Sequence, residues 1–228
     1  MPRHPPSARL VLLGALTLAS VFCVFMLLVA RPLLTGDAAD EYLIWNLFLA
    51  WIPFVLALVF YDRVRANGLR GTEVAVGATW LAFLPNAPYI LTDLIHLRTR
   101  SSADAIWFDA LTFSAFAWTG LLLGLVALYL VHTAVARAVG AIWGWIVAFG
   151  AIAASGFGIY LGRFLRWNTW DIITSPIAVA RDVAAPFLDP SANRLPIAVT
   201  GAFTAFLVVA YLVVYAFAHV RDRIRPTS

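Results

Sequence analysis

The chain has 228 residues, of which 62% are hydrophobic and only 12% charged. An average soluble domain carries roughly 25% charged residues, so a water-soluble fold is excluded. The net charge of +4 comes from sixteen arginines and no lysine, scattered over the connections rather than gathered into one stripe, which argues against nucleic-acid binding.

Six stretches of at least 19 residues contain no Asp, Glu, Lys or Arg: 10–30, 42–61, 74–92, 110–131, 138–162 and 195–218. Crossing ~30 Å of hydrocarbon takes about 20 residues of helix. The expectation is an all-α, polytopic membrane protein in which residues 1–228 form a single integral membrane domain. Its six transmembrane helices are expected at about 10–30, 42–61, 74–96, 107–131, 138–162 and 195–218. The first apolar run, 21 residues long, is read as a retained helix, because signal-peptide cores run about 7–15. Cys23 is the one cysteine, so no intrachain disulfide forms.

The second span carries Asn46, which in lipid is read as a hydrogen bond to a neighbouring helix. The third is unusual: Pro85 and Pro88 both lack a backbone donor, and in hydrocarbon the freed carbonyls need partners in protein or a wet cavity. A kink is predicted there. If the helix resumes after Pro88, Asn86, Tyr89, Asp93 and His96 fall within about 80° of one another. The fourth span opens at Trp107-Phe108-Asp109, near the same rim as Asp93 and His96. Gly120-x-x-x-Gly124 and Gly158-x-x-x-Gly162 are read as close-packing positions. The fifth span ends at Arg163-Phe164-Leu165-Arg166-Trp167-Asn168-Thr169-Trp170-Asp171, with its tryptophans at the headgroup level. Residues 176–188 then suggest a short helix lying in the interface plane between helices five and six.

Orientation follows the arginines. With the N-terminus inside, Arg3, Arg9, Arg63, Arg65, Arg70, Arg137, Arg221, Arg223 and Arg225 face the cytoplasm, nine against seven. The other side holds Arg31, Arg98, Arg100, Arg163, Arg166, Arg181 and Arg194, together with Asp37, Asp40, Asp104 and most other carboxylates. Both termini are therefore expected in the cytoplasm.

One rim thus collects Asp93, His96, Asp109, Arg163, Arg166, Asn168 and Asp171, with Asn86 and Tyr89 on a deeper wall. Ionisable groups beside membrane spans face the bundle interior or a cavity. Three readings stay open. In the first, Arg–carboxylate forks form a charge-paired structural or binding site that clamps helices three, four and five. In the second, Asp93, His96 and Asp109, with Asp171 as an alternative, bind a divalent metal or act as catalytic acid and base on a lipid-linked or phosphate-bearing substrate. In the third, the Pro-broken helix serves a small-solute or ion transporter. Membrane lipids are the expected partners, and the chain carries no signature of a particular oligomeric state.

The blocks Asn46-Leu47-Phe48-Leu49-Ala50-Trp51-Ile52-Pro53, Phe83-Leu84-Pro85-Asn86-Ala87-Pro88-Tyr89, Thr92-Asp93-Leu94-Ile95-His96, Trp107-Phe108-Asp109 and the run from Gly156 to Asp171 resemble a bacterial multi-pass membrane protein family, domain of unknown function 1361. The resemblance spans roughly residues 43–182. It implies a location in the bacterial inner membrane and carries over no activity and no catalytic residue.

Overall fold

The computed structural model describes residues 8–35, 40–97 and 106–224, and every regular element among them is helical. Helix α1 (Ala8–Phe25) passes through a π-helical turn (Met26–Ala30) into α2 (Arg31–Thr35). There follow α3 (Tyr42–Asn67), α4 (Gly71–Phe83), α5 (Asn86–Tyr89) and a 3-10 stretch (Ile90–His96). The chain continues as α6 (Ile106–Val139), α7 (Ala141–Phe164), α8 (Asp171–Thr174), α9 (Pro176–Leu188) and α10 (Arg194–Ile224). Asp37, Arg98, Arg100, Asp104 and the termini with Arg3, His4 and Arg225 lie outside the described residues.

Six segments are long and apolar enough to cross a membrane: Arg9–Leu34, Tyr42–Asn67, Gly71–His96, Ile106–Val139, Ala141–Phe164 and Arg194–His219. The protein is an all-α polytopic membrane protein. Its helices run past the apolar stretches, because a helix continues into the headgroup region where charges are tolerated. The fifth helix starts at Ala141 rather than Ala138, since α6 extends to Val139 and the chain reverses at Gly140, whose φ of 107° favours glycine.

Helix α6 is the hub, with 61% of its apolar window buried against 11% for α10 at the periphery. It packs against α1, α3, α5, the 3-10 stretch and α7. Large side chains such as Leu18, Trp118 and Phe217 point outward, as befits surfaces solvated by lipid. Lipid tails are as apolar as leucine, so helix association must come from close packing and polar contacts.

The third span shows both. It does not run as one α-helix, and the reason lies in its prolines. Pro88 has no N–H for the Leu84 carbonyl, and the Ala87 N–H takes that role at 3.2 Å. The Phe83 carbonyl thereby loses its ordinary partner. The Asn86 side chain supplies one, donating from Nδ2 at 3.0 Å. Beyond Tyr89 the chain tightens into the 3-10 stretch.

Two glycine pairs seat this broken segment. A Cβ on Gly120 would meet the Ala87 carbonyl oxygen at 2.7 Å, and one on Gly124 would touch the Ala87 methyl at 3.0 Å. From the other side, a Cβ on Gly158 would fall 2.5 Å from Pro85, and one on Gly162 would fall 3.1 Å from the Tyr89 ring. Both glycine motifs are thus packing devices, and they grip the same element.

Candidate functional site

The polar residues of one bundle end form two networks. The first centres on Arg31. In the π turn its N–H reaches back five residues to the Met26 carbonyl, which re-aims the side chain at the start of α2. The guanidinium is buried and donates from Nε to Asp109 Oδ1 at 2.9 Å. Its Nη2 lies 3.4 Å from Asp40 Oδ2. Asp40 holds a left-handed backbone, φ 80°, a conformation that aspartate tolerates better than most residues.

The second network centres on Asp93, also buried. Asn46 Nδ2 donates to its Oδ2 at 2.9 Å, so the expected interhelical bond of Asn46 is made to the third span. Arg163 Nη1 donates to Oδ1 at 3.3 Å, and Nη2 reaches His96 Nε2 at 2.9 Å. A guanidinium has no lone pair to offer, so His96 Nε2 is the acceptor and the ring is neutral with its proton on Nδ1. The ring also stands edge-on to Tyr42, 5.7 Å between centroids. At three residues per turn, positions 93 and 96 eclipse, which puts both within reach of one arginine.

A cavity of about 1080 Å³ adjoins the second network, between α3, the broken third span, the end of α7 and α9. Asn86, Tyr89, His96, Arg163, Arg166 and Asn168 line it, together with Thr169. Asn86 spans the wall, its Nδ2 also donating to Thr169 Oγ1 at 3.1 Å. Arg166 is exposed and makes no ion pair among the described residues. It occupies the left-handed region, φ 62°, and this turn carries the Trp167 N–H back to the Leu161 carbonyl at 3.1 Å. Trp167 Nε1 in turn donates to Asp182 of α9 at 2.8 Å.

The cavity wall takes six of the sequence-derived residues and leaves out three, Asp93, Asp109 and Asp171. Asp93 lies behind Arg163. Asp109 is diverted to Arg31. Asp171 turns back on its own loop, accepting the Asn168 N–H at 2.7 Å and the Thr174 hydroxyl at 3.2 Å. Asp93, His96 and Asp109 are therefore not assembled as a metal set: among the described residues no three His, Cys, Asp or Glu side chains come together to hold an ion. Arg31, Asp40 and Thr169 entered the site without having been singled out. The available signal was an arginine closing an apolar run, which has to find a carboxylate.

The opposite end of the bundle carries separate pairs. Arg9 meets Asp62 at 2.9 Å and Arg63 meets Glu73 at 3.0 Å. His132 bonds the Tyr211 hydroxyl at 2.5 Å within a cluster of aromatic rings. Between the two ends the core is mostly apolar, through Trp80, Leu84, Leu121, Leu125, Leu128 and Ile152, with the buried hydroxyls of Thr119 and Ser155 among them and, within the described residues, no buried charge.

Compared with known proteins, residues 45–212 match the model of one family, described as a protein of unknown function (DUF1361). No curated protein and no solved structure matches.

Proposed function

The chain belongs to the DUF1361 family, and on that premise we propose that it is a single-domain protein of the bacterial inner membrane that binds an anionic ligand in the cavity beside Arg163. Both termini face the cytoplasm in this reading, the cavity opens toward the outer face, and α9 lies in the interface plane over it. Membrane lipids surround the bundle, and nucleic acid plays no part.

The carrying observation is how charge is arranged across the wall. The guanidinium groups of Arg163 and Arg166 line the cavity and no carboxylate among the described residues does: Asp93 is buried behind Arg163, and Asp182 and Asp171 are taken up by Trp167 and Asn168. An anion approaching the wall meets donors first. Arginine forks suit oxyanions bidentately. The buried pairs behind them support a clamp that holds the donors in place. The apolar core beyond Asn86 favours binding over passage through the bundle.

The test uses purified protein in phosphatidylcholine nanodiscs at low ionic strength. Trp45, Trp167 and Trp170 line the cavity, so their emission reports its occupancy. Titration with phosphate-bearing probes is expected to give a saturable change that Arg166→Gln weakens. Identical responses from both proteins would remove the reading.

The position of His96 on the same wall favours a second reading, an acid–base enzyme acting on the bound phosphate ester. A ligand oxygen that takes Arg163 Nη2 releases His96 Nε2 for proton transfer. Turnover lost in His96→Gln with binding retained would establish it.

A further inference from the structure

We infer that the ligand of this cavity is an amphiphile: a membrane lipid whose phosphate sits at Arg163 and Arg166 and whose acyl chain runs inward beneath α9. The inference rests on the reading of the cavity as an anion-binding pocket and names the class of molecule it takes.

Three observations carry it. The first is size. At about 1080 Å³ the cavity exceeds the roughly 300–1,000 Å³ of sites for drug-sized ligands, and a phosphate ion fills a small part of it. The second is the division of its lining. Arg163, Arg166, Asn168 and Thr169 gather where α7 ends, whereas Leu49, Ala82, Val179 and Val183 supply apolar wall. Ala82 lies on α4 before the break of the third span, whereas His96 ends the 3-10 stretch beyond it, so the lining runs from the rim past the break into the membrane-spanning part of the helix. A soluble anion has no use for such a lining.

The third observation is what flanks the cavity. Val179 and Val183 line it from one side of α9, while Ile177, Phe187 and Leu188 on the same helix are 78%, 76% and 83% exposed. Arg181 shares the exposed side with Ile177 and Leu188, the mixture of a long cationic side chain and apolar residues carried by a helix lying in the membrane interface. The bond from Trp167 to Asp182 ties this helix to the turn that carries Arg166. The cavity is therefore bounded by lipid along α9, and a lipid reaches it laterally with its headgroup already at the arginines' level. A phosphate monoester offers three oxygens to the donors on the wall, where a fatty-acid carboxylate offers two.

The experiment displaces a fluorescent-tailed phosphatidic acid from the protein in phosphatidylcholine nanodiscs. The competitors are dioleoyl phosphatidic acid, glycerol 3-phosphate, inorganic phosphate, oleate and dioleoylglycerol. Phosphatidic acid is expected to displace at concentrations tenfold or more below any other competitor. Arg166→Gln is expected to weaken it by roughly tenfold, the loss of a charge-assisted contact. Val183→Trp, which fills the apolar side, is expected to weaken phosphatidic acid and leave glycerol 3-phosphate unchanged. Equal potency of glycerol 3-phosphate and phosphatidic acid overturns the lipid inference and leaves the anion pocket standing. Equal potency of oleate overturns the choice of phosphate. Displacement by dioleoylglycerol as strong as by phosphatidic acid, with no effect of Arg166→Gln, overturns both the inference and the pocket reading.

Discussion

Arg31 and Arg166 are the two arginines that separate structure from function in this protein. Arg31 is buried between Asp40 and Asp109. Burying such a pair gains little over apolar packing, but removing one member leaves an uncompensated charge. Arg31→Gln is therefore expected to destabilise the protein by about 3–5 kcal/mol, read as loss of the monodisperse species or a large fall in Tm in detergent. Arg9→Gln, in a pair 52% and 49% exposed, should change stability by no more than about 1 kcal/mol. Arg166 behaves in the opposite sense. Its left-handed backbone is unfavourable for a residue with a Cβ, and no carboxylate among the described residues holds it there. Arg166→Gly is expected to leave Tm unchanged or raise stability by about 1 kcal/mol while weakening anion binding by roughly tenfold, as Arg166→Gln does. A fall in Tm would mean that the side chain serves the fold instead.

At the scale of elements, the broken third span depends on four glycines outside it. Gly158→Ala drives a methyl to 2.5 Å from the rigid Pro85 ring, and Gly120→Ala drives one to 2.7 Å from the Ala87 carbonyl. Each is expected to cost about 1–3 kcal/mol through overpacking. Gly201→Ala, with nothing within 4 Å, should be neutral or stabilising by up to about 1 kcal/mol. Thermal unfolding of the three variants side by side checks the contrast. These elements also show what the sequence reveals. Uninterrupted apolar runs announced the six spans, Pro85 and Pro88 announced the break, and Pro176 announced α9 to the residue. Asp93, His96 and Arg163 met because their helix ends share a rim and a 3-10 turn eclipses the first two. The pairing of Asp109 with Arg31 was not legible. Several guanidiniums share that rim, and the rotation imposed by a π turn at Met26–Ala30 selects among them. Asp171 was misplaced for a related reason: a carboxylate within three residues of Asn168 and Thr174 satisfies itself locally before it reaches across helices.

At the scale of the whole molecule, the two ends of the bundle differ in kind. One end gathers Arg31, Asp93, Asp109 and Arg163 in buried networks beside the cavity. The other holds Arg9, Arg63 and Arg137 in contacts with Asp62, Glu73 and Tyr61. Arginine in short connections marks the cytoplasmic side, and the 63–70 connection with its three arginines belongs to this second end. The proposed outward orientation of the cavity rests on this asymmetry. Labelling tests this directly, because Cys23 is fully buried and leaves the native protein a silent background toward bulky thiol reagents. Ser191 sits in the exposed turn between α9 and α10, and Asn67 is exposed at the end of α3. A membrane-impermeant maleimide added to intact spheroplasts is expected to label Ser191→Cys and to spare Asn67→Cys until the membrane is opened. The reverse pattern would turn the molecule over, put the arginine-lined cavity against the cytoplasmic leaflet, and change which pool of lipid phosphates can reach it.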